Sequence, residues 1–128
     1  MIVDSSAIIA IAIDEPAADW VESALLRPNV LPLRMSWVNI TEVATTLRRG
    51  GSFDIGTLQS LLARVGIEAL QIDHDIVRVV ADARRRFPLN FGDCFAYAHA
   101  KLLREPLLTL DADFLATDLE TVLHPDRP

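Results

Sequence analysis

The chain has 128 residues, is 51% hydrophobic with a mean hydropathy of +0.27, and carries a formal net charge of −6. That length suits one domain spanning residues 1–128, the apolar content argues against disorder, and the acidity, taken alone, argues against a nucleic-acid partner, which usually leaves a basic footprint. A single cysteine, Cys94, excludes an intramolecular disulfide and a cysteine zinc cluster, and with no basic leader segment the expectation is a soluble cytoplasmic protein.

Met1 to Asp4 reads as a short buried strand ending in an acid, and Ser5 and Ser6 offer N-cap hydroxyls to an apolar helix over Ala7 to Ala12. The longest apolar run, Ala7 to Ile13, falls far short of the ~20 residues a membrane span needs. Glu15-Pro16 opens a second helix with Trp20, Val21, Ala24 and Leu25 on one face, stopping before Pro28. Val30 to Met35 suits a second strand, interrupted by Pro32. Ser36 then caps a helix carrying Ile40, Val43, Ala44 and Leu47, closed by Gly50-Gly51.

Asp54 begins a helix with Ile55, Leu58, Leu61, Leu62 and Val65 inward, and Ile67 to Ile72 alternates as a third strand. Asp73 caps a helix whose inner face carries Ile76, Val77, Val80, Ala83 and Phe87. After Pro88-Leu89-Asn90 a helix runs from Gly92 to Arg104, with Ala96, Ala100 and Leu103 facing in. Leu107 to Leu110 forms a fourth strand and Thr121 to Leu123 a fifth, before a polar tail rich in proline. Short apolar strands alternating with helices predict an α/β fold with a short, largely parallel sheet, in which ligands sit at the carboxyl ends of the strands.

The acids fall at such positions. Asp4 ends the first strand, Asp111 ends the fourth, and Asp113 follows it. Asp93 lies in a first helical turn, and Glu42 stands on its helix opposite the apolar stripe. Each has an ordinary structural reading as well: a cap for Asp4, a dipole partner for Asp93, a solvated helix position for Glu42, turn residues for Asp111 and Asp113. Gathered together they would repel, at ~4 Å by about 4 kcal/mol per pair at an effective dielectric of 20. A hard divalent cation relieves that repulsion, and its chemistry would be phosphodiester hydrolysis. His74, His99 and His124 show no ligand spacing, and Cys94 has no base beside it.

Four blocks in order then resemble the PIN-domain ribonucleases, and the VapC-type toxins among them. They are Ile2-Val3-Asp4-Ser5-Ser6-Ala7, Asn39-Ile40-Thr41-Glu42-Val43, Leu89-Asn90-Phe91-Gly92-Asp93-Cys94-Phe95-Ala96-Tyr97-Ala98, and Pro106 to Asp113-Phe114 with Ala116-Thr117-Asp118-Leu119. The resemblance covers nearly the whole chain. It implies a PIN-like fold, an Mg²⁺- or Mn²⁺-dependent endoribonuclease acting on RNA, and a cognate antitoxin. Carried over by position, Asp4, Glu42 and Asp93 are the first three acids. The fourth is Asp113 or Asp111, with Asp113 favoured, and Asp4, Asp93 and Asp113 are the implied metal ligands. Ser6 is the hydroxyl supporting Asp4, with Thr109 near the last acid.

Eleven of the twelve basic residues are arginine. Arg84, Arg85 and Arg86 are candidate RNA contacts, together with Arg48, Arg49, Lys101 and Arg104. A homodimer and an antitoxin helix lying in a groove near Trp20, Trp37 and Leu47 are expected, the antitoxin presenting a basic side chain to the acids. The alternative function is an inactive PIN-like binding module. A phosphatase or receiver-like domain is disfavoured because the only lysine, Lys101, lies inside a helix rather than after a strand.

Overall fold

The computed structural model describes residues 1–30, 32–51 and 53–127. In chain order the elements are β1 (Ile2–Val3), α1 (Ser5–Ala12), α2 (Ala18–Leu25), β2 (Leu33–Ser36), α3 (Trp37–Arg49), α4 (Ile55–Val65), β3 (Ile67–Leu70), α5 (His74–Arg86), α6 (Phe91–Leu103), β4 (Leu107–Leu108), a 3-10 helix (Ala112–Ala116) and β5 (Val122–Leu123). The sheet is five-stranded in the order β3-β2-β1-β4-β5, and every pairing is parallel.

Alternation across the pleat builds a core on both faces of this sheet. Val3 and Leu108 join Ala7, Ile8, Val21, Val43, Leu58 and Leu61 on the face covered by α1 to α4. Their neighbours Ile2 and Leu107 join Leu89, Ala96, Tyr97 and Phe114 on the face covered by α5 and α6. Two central strands of two residues each therefore suffice, because every side chain they carry is buried. No helix among the described residues is long and apolar enough to cross a membrane.

The strands are shorter than the sequence predicts. β2 starts at Leu33 rather than Val30, since Pro32 has no N–H to give a ladder; Leu31, inside the expected span, lies outside the described residues. β3 ends at Leu70, leaving Ile72 41% exposed before the Asp73 cap of α5. β4 ends at Leu108 rather than Leu110, because Thr109 and Leu110 are drawn into the bonds around Asp4 and Ser6. Helix α2 begins at Ala18, two residues beyond Pro16.

The cap of α1 is Asp4, which accepts the Ser6 N–H; Ser5 and Ser6 lie inside the helix instead of preceding it. Three residues expected to face inward are instead turned to solvent: Ile55 (56% exposed), Val77 (54%) and Leu103 (42%). Ile55 and Leu103 are the first and last residues of their helices, whereas Val77 lies beside the buried stripe of Ile76, Val80 and Ala83 on α5.

Candidate active site

Asp4 stands where β1 meets α1, at the carboxyl edge of the sheet, and is almost fully buried. Its Oδ2 accepts three bonds: from Ser6 Oγ at 2.7 Å, from Thr109 Oγ1 at 3.0 Å and from Ser6 N–H at 3.4 Å. Its Oδ1 is buried with no hydrogen-bond partner among the described residues. The two hydroxyls are tied down in turn. Ser6 Oγ accepts from Leu110 N–H at 2.9 Å, and Thr109 Oγ1 accepts from Asp111 N–H at 3.0 Å. One oxygen of Asp4 is thus clamped by the segment after β4, and the other is aimed and unpaired.

Asp93 lies in the first turn of α6, where Asn90 and Asp93 form a reciprocal capping box. Burial raises the Asp93 carboxyl to about 8, aided by the charges of Asp4, Asp111 and Glu42. Asp4 is likewise raised, chiefly by burial and further by Glu42. The charges of Asp4, Asp111 and Glu42 thus converge on Asp93, and that of Glu42 also reaches Asp4.

Glu42 is held at the site by Asn39 and Gly92, neither of which has a role predicted from the sequence. Asn39, one turn earlier on α3 and fully buried, donates Nδ2 to Glu42 Oε1 at 2.8 Å and to the Gly92 carbonyl at 3.0 Å. Gly92 is the point of closest approach between α3 and α6. A Cβ there would lie 2.0 Å from Glu42 Oε2, so only glycine lets the carboxylate lie against the first turn of α6. The signals were a helical i, i+3 Asn–Glu pair and a glycine inside a helix start, where glycine is otherwise unfavourable.

Of the two acids after β4, Asp111 is half-buried and its charge acts on Asp93, whereas Asp113 is exposed. Asp111 caps the 3-10 helix, with Oδ1 accepting the Asp113 N–H at 2.9 Å. That turn leaves Asp113 exposed, and its charge is not among those acting on Asp93. The three arginines divide in the same way. Arg85 pairs with Asp82 at 3.6 Å, and Arg86 pairs with Asp82 at 3.2 Å and Asp118 at 3.5 Å. Arg84 makes no ion pair among the described residues, and its charge reaches the thiol of Cys94, next to Asp93. Lys101 is bound to Asp118 rather than free.

The donors fit a hard cation: they are oxygens only, one of them buried and unpartnered. Among the described residues, no three His, Cys, Asp or Glu side chains are drawn together closely enough to hold a metal ion by themselves.

Away from the acids, two apolar grooves adjoin. One, of about 450 Å³, is lined by Ile11, Leu25, Leu26, Leu33 and Val65, and the other, of about 500 Å³, by Ile13, Leu47, Leu58 and Leu61; Ile11 and Arg64 border both. Of the three residues expected near a groove, Leu47 lines the second, while Trp20 and Trp37 line neither, Trp37 being half-exposed at the start of α3.

The PIN domain family model matches residues 1–119. Ribonuclease VapC42 of Mycobacterium tuberculosis is 39% identical over 129 residues, covering 93% of this chain and 96% of that protein. Ribonuclease VapC30 of the same species is 32% identical over 133 residues, covering 98% and 100%. The fold is similar to the crystal structure of Mycobacterium tuberculosis VapC20, described as a sarcin–ricin loop cleaving toxin, with a TM-score of 0.76, 19% identity and coverage of 99% and 98%. A toxin–antitoxin complex from Klebsiella pneumoniae is similar with a TM-score of 0.72 at 20% identity, covering 95% and 94%.

Proposed function

The chain belongs to the PIN-domain family, and from that premise we propose that it is a divalent-cation-dependent endoribonuclease, the toxin half of a toxin–antitoxin pair. The relatives named above as ribonucleases support the activity. The observation that carries the reading is Asp4, fixed through one oxygen by Ser6 and Thr109 while the other is buried and unpaired beside three further acids.

Asp4 and Asp93 would hold the cation, with Asp111 as the fourth acid and Asp113 on the rim. A bound Mg²⁺ or Mn²⁺ would offset the carboxylate charges and polarise the phosphodiester. Glu42, oriented by Asn39, accepts a proton from the attacking water, as a base held in a fixed pose can. Ser6 and Thr109 keep Asp4 from turning away. Arg84, the unpaired member of its triplet, contacts an RNA phosphate, whereas Arg85 and Arg86 are engaged with acids of their own chain. The partners are RNA, a second copy in a homodimer, and an antitoxin helix in the apolar grooves with a basic side chain directed at the acids. The compartment is the cytoplasm.

The test is cleavage of RNA with Mg²⁺, Mn²⁺ or EDTA by the wild type and by Asp4→Asn. Cleavage should need a divalent ion, and the variant should lose at least the roughly 10–100-fold that follows removal of a group merely supporting a metal ligand. Equal cleavage in EDTA, or an unimpaired Asp4→Asn, would refute the reading.

A further inference from the structure

Asp93, Tyr97 and Lys101 recur at i, i+4 and i+8 on α6, so they share one face of the helix. The segment between β4 and β5 is attached to that face. Near its start Asp111 meets the field of Asp93. Further on, Phe114 is buried in the same apolar cluster as Tyr97. The segment is then fastened by Asp118.

Asp118 Oδ1 accepts the Tyr97 hydroxyl at 2.6 Å, and Oδ2 meets Lys101 Nζ at 3.1 Å and Arg86 at 3.5 Å. Lys101 Nζ also reaches the Asp118 carbonyl at 3.4 Å. Tyr97 is almost fully buried and packs against Phe87 at 5.2 Å between ring centres, and Arg86 lies over the Phe87 ring at 4.8 Å. One carboxylate thus joins the end of α5, the middle of α6 and the segment that carries Asp111. Among the described residues, none of these groups is hydrogen-bonded or ion-paired to Asp4, Glu42, Asp93 or Asp111.

We infer that Asp118 is a positioning residue: with Tyr97 it fastens the β4–β5 segment along α6 and so sets the separation of Asp111 from Asp93. Given the cation-dependent site proposed above, on which this role rests, the bond fixes the geometry into which the ion is received. Tyr97 lies one turn from Asp93, about 6 Å along the helix axis. A shift of the segment at Asp118 is therefore carried to Asp111 over a short lever with buried Phe114 between. On this assignment Arg86 belongs to the fastening and not to the RNA path.

The experiment compares the wild type with Tyr97→Phe, Asp118→Asn and Asp118→Ala. Mn²⁺ affinity is read from the electron paramagnetic resonance of free Mn²⁺ without RNA. Binding of a non-cleaved RNA is measured in EDTA, kcat and KM in Mg²⁺, and folding by near-ultraviolet circular dichroism. Tyr97→Phe and Asp118→Ala should weaken Mn²⁺ about 10-fold, at the low end of the effect of outer partners, and lower kcat with KM and RNA binding unmoved. Asp118→Asn keeps an acceptor for the tyrosine hydroxyl and should fall between wild type and Asp118→Ala. Wild-type Mn²⁺ affinity and kcat in folded Tyr97→Phe, whatever its melting temperature, would overturn the assignment. So would a loss confined to RNA binding, which would make this cluster an RNA contact. A wild type that neither binds Mn²⁺ nor cleaves RNA would instead refute the proposed function.

Discussion

Asp93 concentrates the cost of the site in one side chain. Burial and three neighbouring acids raise its carboxyl from 3.8 to about 8, so the folded protein holds this proton where the unfolded chain has released it. The stability contributed by the proton is full below about pH 4 and is lost as pH rises through about 8. In EDTA, wild-type melting temperature should therefore fall across that window through Asp93. Asp93→Asn keeps an oxygen for the capping box with Asn90 but carries no charge. At pH 8 in EDTA it should be more stable than wild type by about 1–3 kcal/mol, the scale of an uncompensated buried polar group, while RNA cleavage is nearly abolished. Calorimetry at pH 5 and pH 8 checks the first part, and equal destabilisation at both would show that the charge is not strained. In the sequence Asp4 and Asp93 are marked by their place at a strand end and a helix start, and Glu42 by lying opposite its helix's apolar stripe, but each also has a structural reading, and it is the resemblance that joins them. The preference for Asp113 over Asp111 took no account of the 3-10 turn, which leaves Asp113 exposed and Asp111 half-buried. Asn39 had no legible role because its bond to the Gly92 carbonyl spans 53 residues.

The approach of α3 to α6 governs where Glu42 stands. Gly92→Ala would gain up to ~1 kcal/mol in helix propensity, yet its Cβ would meet Glu42 Oε2 at 2.0 Å. The carboxylate is the end of a flexible chain, so it gives way and loses the bond from Asn39 at 2.8 Å. The net change in stability should stay within about 1 kcal/mol, because the clash is relieved by rotation. RNA cleavage should fall roughly 100-fold, as displacement of a reacting group by about 1 Å can cost. Thermal melts with kcat/KM on one preparation separate the two effects; wild-type turnover would remove Glu42 from the proton-accepting role. Element order was readable because caps and apolar spacing are local: Ser36, Asp54 and Asp73 each accept a backbone N–H where their helices begin. Ends and faces were less so. Ile55 is exposed at the first position of α4 and Val77 beside the buried stripe of Ile76 and Val80, and apolar spacing within one helix does not encode how wide a face its neighbours cover.

At the scale of the molecule, a chain with 51% hydrophobic residues encloses a core on both sheet faces and still leaves apolar grooves at its surface. Composition signalled the excess but not its location. The groove walls come from residues as far apart as Ile11, Leu26, Leu33 and Arg64, and no local pattern announces them. The groove beside α2 is the surface proposed for the antitoxin helix, because apolar side chains at helical spacing fill such a channel. Leu26 forms part of its wall and is 84% exposed, so Leu26→Asp should alter folding stability by no more than about 0.5 kcal/mol. A carboxylate there would be desolvated by the partner's apolar face. Antitoxin affinity should fall at least ~30-fold, the effect of losing a central contact worth about 2 kcal/mol. Titration calorimetry with the antitoxin, alongside RNA cleavage by the free variant, tests this directly. Weakened binding with wild-type cleavage places inhibition at the groove. Unchanged affinity would put the antitoxin on another face, leaving the acid pocket as its point of attachment.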